Sequence, residues 1–522
     1  SLLKAWYGEA ATPENGYAYD LLPRISGDYS LQPMLLQMKD GDMKGLFCLG
    51  QNPAVGGLNA RLAREGLANL DWLVVRDVHE VESAAFWYDA PEVREGRVRP
   101  QDIKTEVFLL PAAIAAEKEG SFTNTQRLVQ WHDQAVQPPG NARSESWFLF
   151  HLGRRLKELY REDPGDAPAR RQLLSLTWDY PQRGPLGDPD AESVMQEING
   201  YTVADRRPVP DWNALKDDGS TACGCWIYSG IMPAPGQNRA RDRRGDDRAS
   251  LEWGYSWPGN RRLLYNRASA DPRGRPWSER KRWVWWDGAE GRWTGHDVPD
   301  FPLTKPPDYQ PPPGATGLDA HAGDSPFVNM ADGKGWLFAV AGLQDGPLPT
   351  HYEPFETPVG NLLYPEYPRN PAATAFPRPD NPYHEVGDPR FPYVITTYRL
   401  TEHHTAGGMS RWVPWLAELQ PQGFVELSPE LAGELGVDNG DWVVVSTLRG
   451  QAEARALVTE RMQPLVVDGK PLHQVGMPWH FGFGGLATGD VANDLSALVE
   501  DPNSNIHEAK AFTCDVRKGR VR

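Results

Sequence analysis

The residues best suited to chemistry form polar islands set among glycines. Gly50, Gln51, Asn52 and Pro53 follow an apolar run, Met43 to Leu49, that reads as a strand. A loop that leaves a strand and opens a helix keeps backbone N–H groups free to hold phosphate. Gly50 permits close approach of backbone to a ligand, and the amides of Gln51 and Asn52 can address its polar edges. Asp77 and Glu82 follow a second buried strand, Leu73 to Val75, where a carboxylate commonly accepts bonds from a nucleotide. A solvated carboxylate fits the same pattern. The run from Gly120 to Arg127 is a donor-rich turn that, as a bare pattern, is only a loop. Arg399, Leu400, Thr401, Glu402, His403, His404 and Thr405 precede Gly407, Gly408 and Ser410. Adjacent histidines on a strand point to opposite faces, so His403 and His404 do not easily share one metal. Hydroxyls, glycines and an arginine suit an anionic ligand better than a zinc hydrolase. Trp479 to Gly482 and Ala492-Asn493 are similar islands.

Several chemistries lack their signatures. No GxGxxG or Walker-type lysine loop is present, which disfavours an ordinary nicotinamide or ATP site. No nucleophile elbow or Ser–His–Asp order appears. Cys48, Cys223, Cys225 and Cys514 form no CxxC pair, so no zinc or iron–sulfur motif is complete. Cys223 and Cys225 read as two thiols near a turn, with metal capping or a strained loop as the alternative.

Three textures position these islands. Over 1–175, short apolar strands (Val107 to Leu110 is the third) alternate with helical patterns at Asn59 to Leu67 and Ser144 to Arg161. That alternation implies a mostly parallel sheet covered by helices. Over 176–385, Pro, Gly, Arg and Trp dominate, with Trp283, Trp285 and Trp286 nearly consecutive. Dense tryptophan implies an irregular insertion packed by large rings, or else a sugar- or partner-binding face. Arg239 to Arg248 reads as a solvated loop and Pro306 to Pro313 as an extended linker. Over 386–522, Ser428-Pro429-Glu430 caps a helix that Gly436 closes. Trp442 to Thr447 and Ala452 to Thr459 then pair as strands, so a β-barrel with an inserted helix is expected.

The 522 residues allow several domains, and 54 basic against 70 acidic side chains leave a net charge of −16. That balance argues against nucleic acid or an anionic membrane as the main partner. The longest apolar run, Val107 to Ala116, is about half of a bilayer span. The chain opens on Ser1 without a signal-peptide pattern, which suggests processing or membership of a longer product.

Taken together, GQNPAV, LVVRDVHEVESA, GSFTNTQRLVQWH, YRLTEHHT, WHFGF, ANDL and DPNSNIHEAKAF resemble the molybdopterin oxidoreductase (dimethyl sulfoxide reductase) superfamily. The inserted GCWIYSG, WPGNRRLLYNRASAD, RPWSE and WTGHDVPDF are similar to the large subunit of respiratory formate dehydrogenases. The likeness runs from about Leu2 to Arg517 and implies the C-terminal half of that subunit. It implies a Rossmann-like α/β domain (1–175), a Trp-rich insertion (176–385) and a double-psi β-barrel (386–522). It implies bis(molybdopterin guanine dinucleotide) with molybdenum or tungsten, and a [4Fe-4S] cluster in the N-terminal half. Formate oxidation to carbon dioxide, an iron–sulfur subunit, a membrane cytochrome b subunit and a periplasmic location follow from the same likeness, with the cytoplasm as the alternative location. Gly50, Gln51 and Asn52 would approach a pyrophosphate, Asp77 and Glu82 the guanosine, with Asn124 and Arg127 completing that site. Arg399, Thr401, Glu402, His403, His404 and Thr405 would line the pterin and phosphates, and His480, Asn493 and Lys510 match later family positions. No catalytic or metal-ligating residue is expected in this stretch. A nitrate or polysulfide reductase, or a cofactor-binding module without turnover, are the competing readings.

Overall fold

The structure is a computed structural model that describes residues 1–125, 127–165, 168–245, 252–260, 267, 270–295, 303–315, 319, 322–324, 344 and 352–521. Parts of the insertion motifs, Gln126 of the polar turn and positions 246–248 of the arginine-rich run lie outside the described residues. Among the described residues no helix is long and apolar enough to cross a membrane.

Contacts divide the chain into two compact units, Ser1–Ile25 with Ala113–Phe338, and Ser26–Ala112 with Ala339–Arg522. Each unit is built from two segments, a different partition from the three sequence textures.

In the first unit, the strands Gly120–Thr123, Leu128–His132 and Tyr255–Ser256 form an antiparallel sheet. Val129, Trp131, Met195, Ile231 and Tyr255 pack its core. The helix Glu145–Glu162 begins where sequence places it, because the Ser144 hydroxyl accepts from Trp147 N at 2.9 Å. The arginine-rich run is not simply solvated. Arg241 lies 4.8 Å over the Trp131 ring and pairs with Glu119, Asp133 and Glu192, while Arg243 donates to Trp131 O. Tryptophan does supply core here: Trp293, in the hairpin Val284–Asp287/Arg292–Gly295, is fully buried.

The second unit is built on two main sheets, beside two short two-stranded ones. Strands β1 (Gly45–Leu49), β2 (Trp72–Asp77) and β3 (Glu106–Pro111) are parallel and adjacent in that order. Helices α1 (Leu31–Asp40) and α2 (Ala60–Leu67) bury Leu35, Met38, Ala63 and Leu67 against Cys48, Leu73 and Val75. These side chains alternate along the strands, as a half-covered sheet requires. The helix α3 (Glu82–Asp89) follows β2.

The second sheet is a closed six-stranded barrel built from β4 (Tyr393–Tyr398), β5 (Phe424–Leu427), β6 (Trp442–Ser446), β7 (Gln451–Val458), β8 (Gln474–Pro478) and β9 (Ala511–Lys518). The strand order is β4–β8–β5–β7–β6–β9, returning to β4, and closure leaves no free edge. Inward residues including Ile395, Val425, Val443, Val445, Ala454, Val475 and Phe512 form its core. The inserted helix α4 (Pro429–Leu435) is capped by the Ser428 hydroxyl, which accepts from Leu431 N at 3.1 Å, and ends at Gly436 with φ of 62°.

Candidate functional site

Four strands of the second unit release their chains at one place. The ends of β1, β2, β4 and β8 lead into Gly50–Pro53, Asp77, Arg399 and Trp479, which line a cleft of about 630 Å³. Ligands of open parallel sheets bind beyond the carboxyl ends of strands, and this volume lies in the range of small-molecule sites.

On the sheet side, Gly50 adopts φ of 66°, a left-handed turn that favours glycine. Gln51 is exposed in the cleft wall. Asn52 lines it too, yet its side chain makes three hydrogen bonds to the start of α3. Its Nδ2 donates to Glu82 Oε2 at 2.8 Å, and its Oδ1 accepts from Ser83 N and Oγ. Asn52 therefore shapes the loop instead of offering its amide outward. Asp77 lies in the wall, and burial raises its carboxyl pKa.

Glu82, expected beside a nucleoside, is completely buried behind the cleft. Its Oε1 accepts from Arg411 at 2.5 Å and from Gly484 N at 3.0 Å. Arg411 is equally buried and donates to the carbonyls of Gly484 and Ala487. The neighbouring glycines exist for this pair: a Cβ on Gly482 would overlap Glu82 Oε1, and one on Gly407 would overlap the Arg411 side chain. Glycines that look like ligand contacts thus let backbone wrap an ion pair.

On the barrel side, Arg399, His404, Thr405, Trp479, Asn493 and Lys510 line the cleft. The Arg399 guanidinium lies 4.1 Å from the Trp479 ring centroid. Neither Arg399 nor Lys510 is salt-bridged to a carboxylate among the described residues. Burial lowers the pKa of both, and Arg399 lowers that of Lys510 further. Two such cations make the cleft receptive to an anion. Asn493 donates to Val55 O at 3.0 Å, so its amide ties the sheet side to the barrel side.

Other expected residues of this unit do not reach the wall. His403 is buried, with Nε2 2.8 Å from Gln420 O and Nδ1 3.3 Å from Ser410 Oγ. The two adjacent histidines do part company, but in a turn and not on a strand. His480 is fully buried and spends both ring nitrogens on backbone. Thr401 and Glu402 are not among the residues lining the cleft. Asn124 and Arg127 belong to the first unit, in the turn between Gly120–Thr123 and Leu128–His132. Asn124 Oδ1 accepts from Leu128 N at 3.2 Å, and Arg127, at φ of 66°, donates to Trp257 O. Trp479, which opens one of the polar islands, lines the cleft, as do Leu31, Met409 and His507, which were not singled out. For His507 the only sequence signal was its place inside a quoted motif.

These observations meet two family descriptions. Residues 393–513 match the Molydopterin dinucleotide binding domain, nearly the whole barrel, and residues 108–155 match Molybdopterin oxidoreductase. The chain carries matches to two domains of molybdopterin oxidoreductases, in line with the likeness of its motifs. Its relatives include formate dehydrogenase large subunits. It is 39% identical to formate dehydrogenase 2 subunit alpha (cytochrome c-553) of Nitratidesulfovibrio vulgaris and 38% to the formate dehydrogenase-O major subunit of Escherichia coli. It is 37% identical to the formate dehydrogenase subunit alpha of Megalodesulfovibrio gigas. Each alignment covers 99% of this chain and 50% of the relative, so the chain spans about half the length of the curated relatives it matches. Among solved structures, acetylene hydratase from Pelobacter acetylenicus matches with a TM-score of 0.47 and 15% identity, over 94% of this chain and 46% of that one.

The donor set of the cleft suits such a cofactor. Trp479 Nε1 and His507 Nε2 are buried polar atoms without a hydrogen-bond partner among the described residues. Both side chains belong to the cleft wall. A phosphate-bearing pterin dinucleotide offers anionic oxygens for Arg399 and Lys510 and polar ring edges for these two atoms.

Proposed function

We propose that this chain is the C-terminal, cofactor-holding half of a formate dehydrogenase large subunit and that its cleft binds a molybdopterin guanine dinucleotide. The observation that carries the reading is the convergence of Arg399 and Lys510, without carboxylate partners among the described residues, on a cleft where Trp479 and His507 hold polar atoms that no described residue satisfies. Arg399 and Lys510 would hold phosphate, Gly50 and Gln51 would approach it by backbone and amide, and His404 and Thr405 would meet pterin edges. Asp77, at the end of β2, would accept from the nucleoside. When bound, the cofactor would supply a molybdenum or tungsten centre at which formate gives up two electrons and a proton to become carbon dioxide. This chain's residues bind and orient it and exclude water from its polar tail.

The same reading makes β1–β3 part of a Rossmann-like domain and the barrel a double-psi one. It also brings an N-terminal half carrying a [4Fe-4S] cluster, an iron–sulfur electron-transfer subunit, a membrane cytochrome b subunit and a periplasmic location. The test is oxidative release of pterin from the purified chain, with guanosine monophosphate measured beside it. We expect both in fixed proportion, and a severalfold loss of both in the Arg399→Ala/Lys510→Ala variant. A wild-type chain that yields neither, expressed in a host that makes the cofactor, refutes the proposal.

A further inference from the structure

His480 was expected at the ligand, but its geometry describes a different task. Leu400 N–H donates to His480 Nε2 at 2.8 Å, while Nδ1 lies 2.5 Å from Thr405 O. Nε2 must therefore be the bare acceptor, and Nδ1 must carry the proton that Thr405 O receives. One neutral ring thus bridges the two ends of the segment Leu400–Thr405. Arg399 stands immediately before that segment and His404 within it, and both line the cleft. Thr405, held at φ of 46°, is in a left-handed conformation that a threonine adopts only when its surroundings impose it. Gly407 completes the arrangement, because a Cβ there would overlap His480 O.

We propose that His480 is a positioning residue, a neutral Nδ1-protonated clasp that fixes the Arg399–Thr405 segment in its ligand-receiving shape and releases it on protonation. The cofactor part of this statement rests on the function proposed above; the clasp itself rests on the hydrogen bonds alone. Protonation gives Nε2 a hydrogen that faces Leu400 N–H, so the acceptor is lost and two donors confront each other. The charged and titratable groups facing the ring are Arg399, His403 and His404, and none of them rewards a second positive charge. Burial and these neighbours lower the His480 pKa, while the bond to Thr405 O opposes them. The clasp is therefore closed at neutral pH and opens on acidification.

The test uses the full chain and two readouts, hydrogen exchange at the Leu400 amide and the pterin content of the purified protein. In His480→Ala, Leu400 exchange should accelerate about tenfold, the scale of one lost hydrogen bond, and pterin content should fall severalfold. His480→Gln, which can place an acceptor near Nε2, should keep Leu400 protected. His480→Asn, which can donate in the manner of Nδ1, should not. In the wild type, Leu400 protection should fall as pH drops below about 6.5, and in His480→Gln it should not follow pH. Wild-type exchange rates in His480→Ala, or a Gln variant that behaves as Ala does, overturn the clasp. Loss of pterin in His480→Ala with Leu400 still protected also overturns it, because the ring would then act by touching the ligand. A wild type without pterin whose Leu400 exchange still answers to His480 sinks the cofactor reading and leaves the clasp standing.

Discussion

Gln51 and Asn52 are neighbours with opposite duties, and substitution should separate them. Gln51→Ala removes an exposed amide, so ligand content should fall while the melting temperature stays within a degree or so, as surface changes usually allow. Asn52→Ala strips Glu82 and Ser83 of buried partners and should cost about 1–3 kcal/mol of stability, read from chemical denaturation. Equal melting curves for the two variants would refute that division. Glu82→Gln leaves Arg411 as a buried cation short of its counter-charge, and a loss of about 3–5 kcal/mol is expected. Asn52, Arg399 and His404 line one cleft, and of the strand ends that bring them there only the one before Gly50 was announced by an apolar run. Sequence misplaced Glu82 because the residue that buries it, Arg411, lies 329 positions away. His480 was misread for the same reason: what decides its role is two backbone groups in a distant turn.

At the level of elements, the helix α4 and its neighbours were the most readable part of the chain. Ser428, Pro429 and Gly436 are local signals, and they produced the cap, the first turn and the left-handed close where expected. Ser428→Ala should destabilise the barrel by about 1 kcal/mol, visible as a shifted urea midpoint with unchanged slope. A silent substitution would mean that the cap hydroxyl contributes nothing. The strands β1, β2 and β3 were likewise legible as short apolar runs. Pairing was not, since parallel partners such as β4 and β8 are joined by no turn that could reveal their register. That pairing sets Tyr398 opposite Pro478 and so releases Arg399 and Trp479 side by side.

Across the molecule, buried histidines set the response to acid. Burial lowers the pKa of His480 and His507, and burial with Arg449 lowers that of His384 to about 3. The unfolded chain takes up these protons near pH 6.5, whereas the folded chain refuses them until lower pH. Stability from these groups is complete above about pH 6.5 and is lost as pH falls toward the folded values. The melting temperature should therefore decline between pH 7 and 5, with a shallower decline in His384→Gln. A flat profile in the wild type would contradict the burial of these rings. The overall charge of −16 hides the local cations of the cleft, so composition, which spoke against nucleic acid and anionic membranes, carried no sign of them.

Because one carboxylate, Glu82, holds Asn52, Arg411 and Gly484, the backbone segments around it are a matched set. A chimera that imports residues 480–485 from a distant homologue, without its counterparts at 52, 82, 407 and 411, would bring side chains where only hydrogen atoms fit. Transplants between homologues would have to move all of these stretches together, and selection on any one of them is selection on the rest.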